Sequence, residues 1–174
     1  MKYVLFMTLL LMVACQGGDG TVPVRVKQTT TEDTLIQGNR HAVKLEDRDI
    51  LLFLERIGAR TQKTPRGIHV QLLRDLPGTT ASTEQWAKVN YRMELLNGDT
   101  AYSSPSGSPE SFLIERDDVE SGLHEGIQFL SPGDSAMIVI PSYRAHGLIG
   151  DMDKVPMRST VVYYIGLVNV SDGR

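Results

Sequence analysis

The chain has 174 residues, 41% of them hydrophobic and 22% charged, with 18 Lys+Arg against 21 Asp+Glu and a formal net charge of −3. That length is enough for one domain with its own core, and the slight acidity offers nothing to nucleic acid or to an anionic surface as a partner. Cys15 is the only cysteine, which excludes an intramolecular disulfide and a thiolate metal cluster.

Residues 1–15 are built as a targeting signal. Met1-Lys2 gives a positive start and Tyr3 to Val13 is almost wholly apolar, yet this run is shorter than the roughly 20 residues that span a bilayer. It ends at Met12-Val13-Ala14-Cys15, which resembles the bacterial lipobox, in which a small residue precedes a cysteine that is lipidated and becomes the mature N-terminus. Met12 stands where Leu is usual. The resemblance makes residues 1–14 a lipoprotein signal peptide and Cys15 the lipidation site; the competing reading is a cysteine merely buried within a signal peptide. Residues 15–46 read as a flexible tether, since Gly17-Gly18-Asp19-Gly20 and Thr29-Thr30-Thr31-Glu32-Asp33-Thr34 carry no sustained apolar period. A glycine cluster cradles phosphate only where a strand feeds it into a helix, and that context is missing.

Residues 47–67 are expected to hold a short helix and a linker. Ile50, Leu51, Phe53, Leu54 and Ile57 fall on one helical side and Gly58 is placed as a stop; whether this helix packs on the domain or on a second copy is not readable. After Thr64-Pro65-Arg66-Gly67 the period changes, and a domain over residues 68–170 begins with a short β-like run, Ile68 to Arg74. From Trp86 to Leu95 the residues Val89, Tyr91, Met93 and Leu95 alternate with Asn90, Arg92 and Glu94, which predicts a strand with one apolar face. Asn97-Gly98 supplies hairpin chemistry. A return strand near Ala101-Tyr102 is broken by Ser103-Ser104-Pro105-Ser106-Gly107-Ser108-Pro109 and resumes over Glu110 to Glu115.

A helix is predicted near Val119 to Leu130, stopped by Ser131-Pro132-Gly133. Gly122 and Gly126 each weaken it by roughly 1 kcal/mol relative to Ala, so something must approach that face closely. Ser135 to Ile140 and Thr160 to Val170 read as the last strands, separated by a long loop, Pro141 to Ser159, of the kind that is usually functional or disordered. The predicted fold is α+β: a twisted antiparallel sheet wrapped on one short α-helix. His41, His69 and His124 show no metal-ligand spacing, and Asp151-Met152-Asp153 lacks the remaining oxygen ligands of a calcium loop and reads as solvated charge.

The stretch Val89 to Leu167 resembles the FKBP family of peptidyl-prolyl isomerases. The resemblance is carried in order by Val89-Asn90-Tyr91, the turn at Gly98, Gly122-Leu123-His124-Glu125-Gly126-Ile127, Pro132-Gly133-Asp134, Ile138-Val139-Ile140-Pro141, Ala145-His146-Gly147 and Val155-Pro156. It implies an FKBP-like sheet and helix, and catalysis of X-Pro isomerisation without nucleophile, metal or cofactor: an apolar pocket grips the proline and donors favour the twisted amide. By resemblance Tyr91, Val119, Val155 and Tyr163 fall on walls of the cleft, and the backbone N–H of Glu120 falls where a substrate carbonyl is received. Departures are several. Leu123 stands where the aromatic floor is expected, Ala101 and Glu110 replace aromatic walls, Tyr102 replaces an Asp, and His146 replaces a hydroxyl-donating Tyr. Trp86 lies too early to be the floor. Tyr91 and Tyr163 are equally good core residues, and His146 is read either as a ring N–H donor or as a solvated loop residue.

Within the family the chain looks most like gliding-motility-associated isomerase lipoproteins of the Bacteroidetes, through the anchor, Ala101-Tyr102-Ser103, Gly122-Leu123-His124-Glu125-Gly126 and Pro141-Ser142-Tyr143. This implies proline-containing exported polypeptides as substrates, gliding or secretion machinery as a partner, and a place in the cell envelope, lipid-anchored to the outer membrane and facing the periplasm. The leading alternative is a catalytically weak or inactive FKBP-like binding or chaperone subunit of an envelope machine, favoured by Leu123 and Glu110. A further one is a structural lipoprotein whose working part is the 47–57 helix.

Overall fold

The strand Ser135–Ile140 is apolar on consecutive positions, and its place in the fold explains why: it lies inside a sheet covered on both faces. The computed structural model describes residues 31–173, so the expected signal peptide, Cys15 and the first part of the expected tether lie outside the described residues. In chain order the elements are α1 (Thr31–Ile57), β1 (Gln62–Lys63), β2 (His69–Arg74), β3 (Trp86–Leu95), β4 (Thr100–Ser103), β5 (Glu110–Leu113), α2 (Ser121–Ile127), β6 (Ser135–Ile140) and β7 (Val161–Ser171), with a 3-10 turn at Ser142–Arg144. The seven strands form one sheet in the order β1-β2-β6-β7-β3-β4, with β5 also on β3. Every pairing is antiparallel. Contacts divide the chain into residues 1–36 and 37–174, and the sheet and α2 belong to the second unit.

The β3 strand has the predicted bounds, and Asn97-Gly98 closes its hairpin with β4: the Gly98 N–H donates to the Leu95 carbonyl at 2.9 Å. The broken return strand is also as predicted. Where β4 ends and β5 has not begun, Ser104 completes the ladder, its N–H donating to the Tyr91 carbonyl and its Oγ accepting from the Tyr91 N–H, both at 3.0 Å. No backbone polar group of Tyr91 is lost to the gap.

Side chains of β6 and β7 alternate between two cores. Ala136, Ile138 and Ile140, with Val161, Tyr163, Ile165 and Leu167, join the core that contains Leu123 and Ile127 of α2. The close approach expected at the glycines is present: a Cβ on Gly126 would sit 2.7 Å from Ile138 Cδ1, and one on Gly122 would overlap Ile140 Cγ2. α2 is shorter at both ends than the predicted 119–130. Glu120 is extended (φ −59°, ψ 134°) and serves as its N-cap residue, while Phe129 and Leu130 bond three residues back, to Gly126 and Ile127, tightening the last turn out of α geometry. Asp134 anchors the turn that follows, accepting from the N–H groups of Leu76 (2.6 Å) and Ser131 (2.7 Å).

The other face of the sheet is covered by α1. Ile50, Phe53 and Leu54 pack on Met137, Val139 and Val162, which settles the packing that the sequence left unread. Leu51 and Ile57, expected on the same side, are 57% and 43% exposed; the buried stripe is only the i, i+3, i+4 set. The tether must be corrected, because its residues from Thr31 onward are helical and α1 is a 27-residue helix. An apolar period is not required of a helix that extends past its docked turns: 32–41 are exposed, the first turn carries Glu32 and Asp33, which suit the dipole, and propagation from a docked segment avoids the nucleation cost. Its C-terminus is the predicted one. Gly58 at φ 66° lets its N–H reach the Glu55 carbonyl and lets the Ala59 N–H reach that of Leu54, a Schellman pair. Among the described residues no helix is long and apolar enough to cross a membrane.

Candidate active site

Between β3, β5, the segment before α2 and the start of the long loop lies an open cavity of about 560 Å³, on the side of the sheet that carries α2. Alternation on β3 sends Val89, Tyr91 and Met93 to it, and Tyr163 arrives from β7, directly opposite Met93 in the ladder. The Tyr91 and Tyr163 rings stand 5.6 Å apart, tilted by 49°. Leu123, 5% exposed, comes from the first turn of α2, and Val119 and Glu120 from the extended residues that lead into it. Of the residues singled out in the sequence, Tyr91, Tyr102, Val119, Glu120, Leu123, His146 and Tyr163 all line this one cavity.

Val155 does not. It is 2% exposed and packed within the core, and its N–H donates to Asp151 Oδ1 at 2.8 Å. Its part is to hold the loop rather than to form the wall. Ala101 is likewise buried in the core, whereas Glu110 lies on the cavity edge, across the β3–β5 ladder from Val89. Trp86 does not line the cavity.

The carboxylate of Glu120 organises the polar side. The Tyr163 hydroxyl donates to its Oε1 at 2.8 Å. His146 Nε2 lies 2.9 Å from the same oxygen, but off the ring N–H axis, so this is a close charge contact and not an aligned hydrogen bond. Thus His146 faces the cavity and is not a solvated loop residue. Among the described residues no acceptor takes the Glu120 backbone N–H. Burial first, and then the Glu120 charge and hydrogen bond, push the Tyr163 phenol far above its ordinary range, so it is a donor at any working pH. Burial also raises Tyr91, with the Glu110 carboxylate adding to it.

The long loop is held by Asp151, whose role the sequence concealed. Its Oδ1 accepts from the N–H groups of Asp153 (2.9 Å) and Val155 (2.8 Å), and its Oδ2 accepts the Tyr102 hydroxyl at 2.6 Å. Burial works against its ionised form, but these donors outweigh that and hold Asp151 down at about 2; the same bond pushes Tyr102 up to about 12. The expectation of merely solvated charge fails for Asp151. Tyr102 therefore has two duties, lining the cavity and pinning the loop that delivers Ala145 and His146 to it.

His124 also escaped the sequence reading. It is 6% exposed, its Nδ1 accepts the Glu115 N–H at 2.8 Å and its Nε2 lies 3.0 Å from the Asp117 carbonyl. With Nδ1 accepting, Nε2 must carry the proton and donate. The ring fastens the Glu115–Asp117 turn to α2 and so fixes Val119 and Glu120. The sequence places His124 within the family-like helix, and nothing in its spacing shows these partners.

An antiparallel sheet packed on one short helix, with a tyrosine-walled cleft and an unbonded N–H beside the helix start, defines the class as an α+β domain with an open cleft at the helix start. The chain matches the family model FKBP_C, FKBP-type peptidyl-prolyl cis-trans isomerase, over residues 78–168. It belongs to this family. It is 30% identical over 115 residues to the FKBP-type peptidyl-prolyl cis-trans isomerase FkpA of Buchnera aphidicola, covering 64% of this chain and 46% of that one. Its structure is similar to the crystal structure of FkpA from Escherichia coli, with TM-score 0.64 and 24% identity over 80% of this chain and 65% of that one. It is also similar to a peptidyl-prolyl cis-trans isomerase from Pseudomonas syringae, with TM-score 0.63 and 26% identity over 76% of this chain and 95% of that one. The chain thus spans less than half the length of the Buchnera relative.

Proposed function

We propose that this domain accelerates cis-trans isomerisation of X-Pro bonds in exported polypeptides. The observation that carries the reading is the cavity that places Tyr91, Val119, Leu123 and Tyr163 around an unbonded Glu120 N–H. An X-Pro bond relaxes over tens to hundreds of seconds because twisting it breaks amide resonance. A proline ring held between the phenols and Leu123 leaves bulk water, where the twisted amide has lost the resonance that water stabilises in the planar form. The Glu120 N–H then supports the carbonyl as its character changes. No covalent step is needed.

The finer reading is a lipoprotein, anchored through Cys15 to the outer membrane and facing the periplasm, serving gliding or secretion machinery. Its support is the lipobox-like sequence and the narrower family resemblance. Mass spectrometry of the mature chain tests the anchor: an unmodified N-terminus at any residue other than Cys15 removes it.

A second reading, a binding module with little or no turnover, is favoured by two observations: Leu123 gives a smaller floor than an aromatic ring, and Glu110 places charge on the wall. Following cis-to-trans relaxation of short Leu-Pro and Phe-Pro peptides separates the two. A measurable but modest rate is expected, raised by Leu123→Trp and mostly lost in Tyr163→Ala, which opens the wall to water. A folded chain that leaves every X-Pro peptide at its uncatalysed rate makes the binding module the correct reading.

A further inference from the structure

The residues lining the cavity carry an unbalanced charge. Glu110, Asp118 and Glu120 are all among them, and the lining contains no Lys or Arg. Three cationic side chains from the segments that flank the cavity are engaged. Arg144 is paired with Glu125 at 3.0 Å and also donates to the Ser121 carbonyl, Arg116 pairs with Glu84, and Lys154 lies over the Tyr102 ring at 4.8 Å. Of the three acids, Glu120 is occupied by the Tyr163 hydroxyl and by His146. Glu110 and Asp118 have no cationic partner among the described residues.

Their positions give this charge a direction. Glu110 is the first residue of β5 and is held by the β3–β5 ladder against Val89, one pleat away from Tyr91, so it stands at the rim of the apolar wall. It is exposed yet lines the cavity, and its carboxylate raises the Tyr91 phenol through its charge and a hydrogen bond and the Tyr163 phenol through its charge. Asp118 is exposed and directly precedes Val119 and Glu120, where the proposed function seats the substrate backbone. A peptide whose proline lies over Leu123 and whose carbonyl meets the Glu120 N–H must carry its neighbouring side chains past one or both carboxylates. A hydrocarbon side chain there would lie against charge, and an acidic one would be repelled. A lysine or arginine can lay its methylene stem along the wall and keep its charged head at the rim.

We propose that Glu110, supported by Asp118, is a specificity-determining residue that selects prolines flanked by lysine or arginine. The inference rests on the isomerase reading for its catalytic form, but the preference belongs to binding as well.

The test uses the full chain and short peptides that carry Lys, Leu or Glu beside the proline, on the preceding and the following side in turn. Opposed rim charges of this exposure give about a threefold effect each way, so kcat/KM for the better-placed Lys peptide should exceed that for its Glu counterpart by on the order of tenfold at low salt. The ratio should shrink at ~1 M salt, where the screening length is about 3 Å. Glu110→Gln should bring the ratio most of the way to unity, and adding Asp118→Asn should complete the loss. Acceleration of Leu-Pro peptides with no distinction between Lys and Glu overturns the specificity and leaves the isomerase standing. A preference that survives the double substitution overturns the assignment to these residues. If no peptide is accelerated, the isomerase reading falls and amide-shift titrations with the same peptides decide the inference: tighter binding of the Lys peptide upholds it, and equal binding or none overturns it.

Discussion

The two faces of the β6–β7 layer are packed by opposite means. On one, α2 comes so close that its contact points must be glycines, with Gly122 against Ile140 and Gly126 against Ile138. On the other, α1 stands off on full side chains, Ile50, Phe53 and Leu54, and is latched at its middle by Glu46, which accepts from the Ser142 N–H and the Thr160 hydroxyl, both at 2.6 Å. The first face is a close fit in which nothing can be added. The second is a joint of side chains that can settle around a change. Since the cleft draws Leu123 and Glu120 from α2 and its cap, the unyielding face is the one that holds the site, and the loop between β6 and β7 touches both.

Overpacking should therefore be the most damaging change, and only on the α2 face. Gly126→Leu is expected to cost about 3 kcal/mol, because the added side chain meets a buried Ile138 on a strand that cannot retreat. Chemical denaturation measures it, and an unchanged midpoint would mean that the two faces do not differ as described. The α1 face should give way more gently: Leu54→Ala is expected to cost about 2 kcal/mol, at the low end for a buried leucine, with the proposed isomerase rate of the folded protein unaltered. A loss of rate that denaturation does not account for would show that α1 bears on the cleft.

The smallest effect concerns the connecting loop. Asp151 is depressed from an ordinary 3.8 to about 2, so its contribution to loop order is complete above the ordinary value and is lost as pH falls through about 2. An NMR titration of the Asp151 carboxyl should show that midpoint, and Tyr102→Phe should move it up toward the ordinary value by removing the hydroxyl donor. A midpoint that Tyr102→Phe leaves in place would detach the loop from the cavity wall and sharpen the division between the faces.

The wild-type sequence was legible wherever a local rule governed a segment. Period-two alternation gave β3 its bounds, Asn97-Gly98 its hairpin, and Gly58 the end of α1, because each rests on backbone geometry that a few neighbouring residues decide. Glycines inside a helix announced the close packing of α2, since their propensity cost demands compensation. The resemblance to a family then gathered Tyr91, Glu120, Leu123, His146 and Tyr163, far apart in the chain, into one cavity, as the structure does. Tertiary structure alone decided the rest. Residues 31–46 had no apolar period to display, because a helix propagated from a docked turn needs none. Val155 moved from wall to core, and Asp151 from solvated charge to the centre of a loop, through hydrogen bonds to Tyr102 and to backbone N–H groups that no spacing encodes. The clamp of Glu120 on Tyr163 and His146 joins residues from three separate segments. Pattern reports what a residue's neighbours in the chain allow, whereas polar partners of this kind exist only once the fold has placed them within hydrogen-bonding reach.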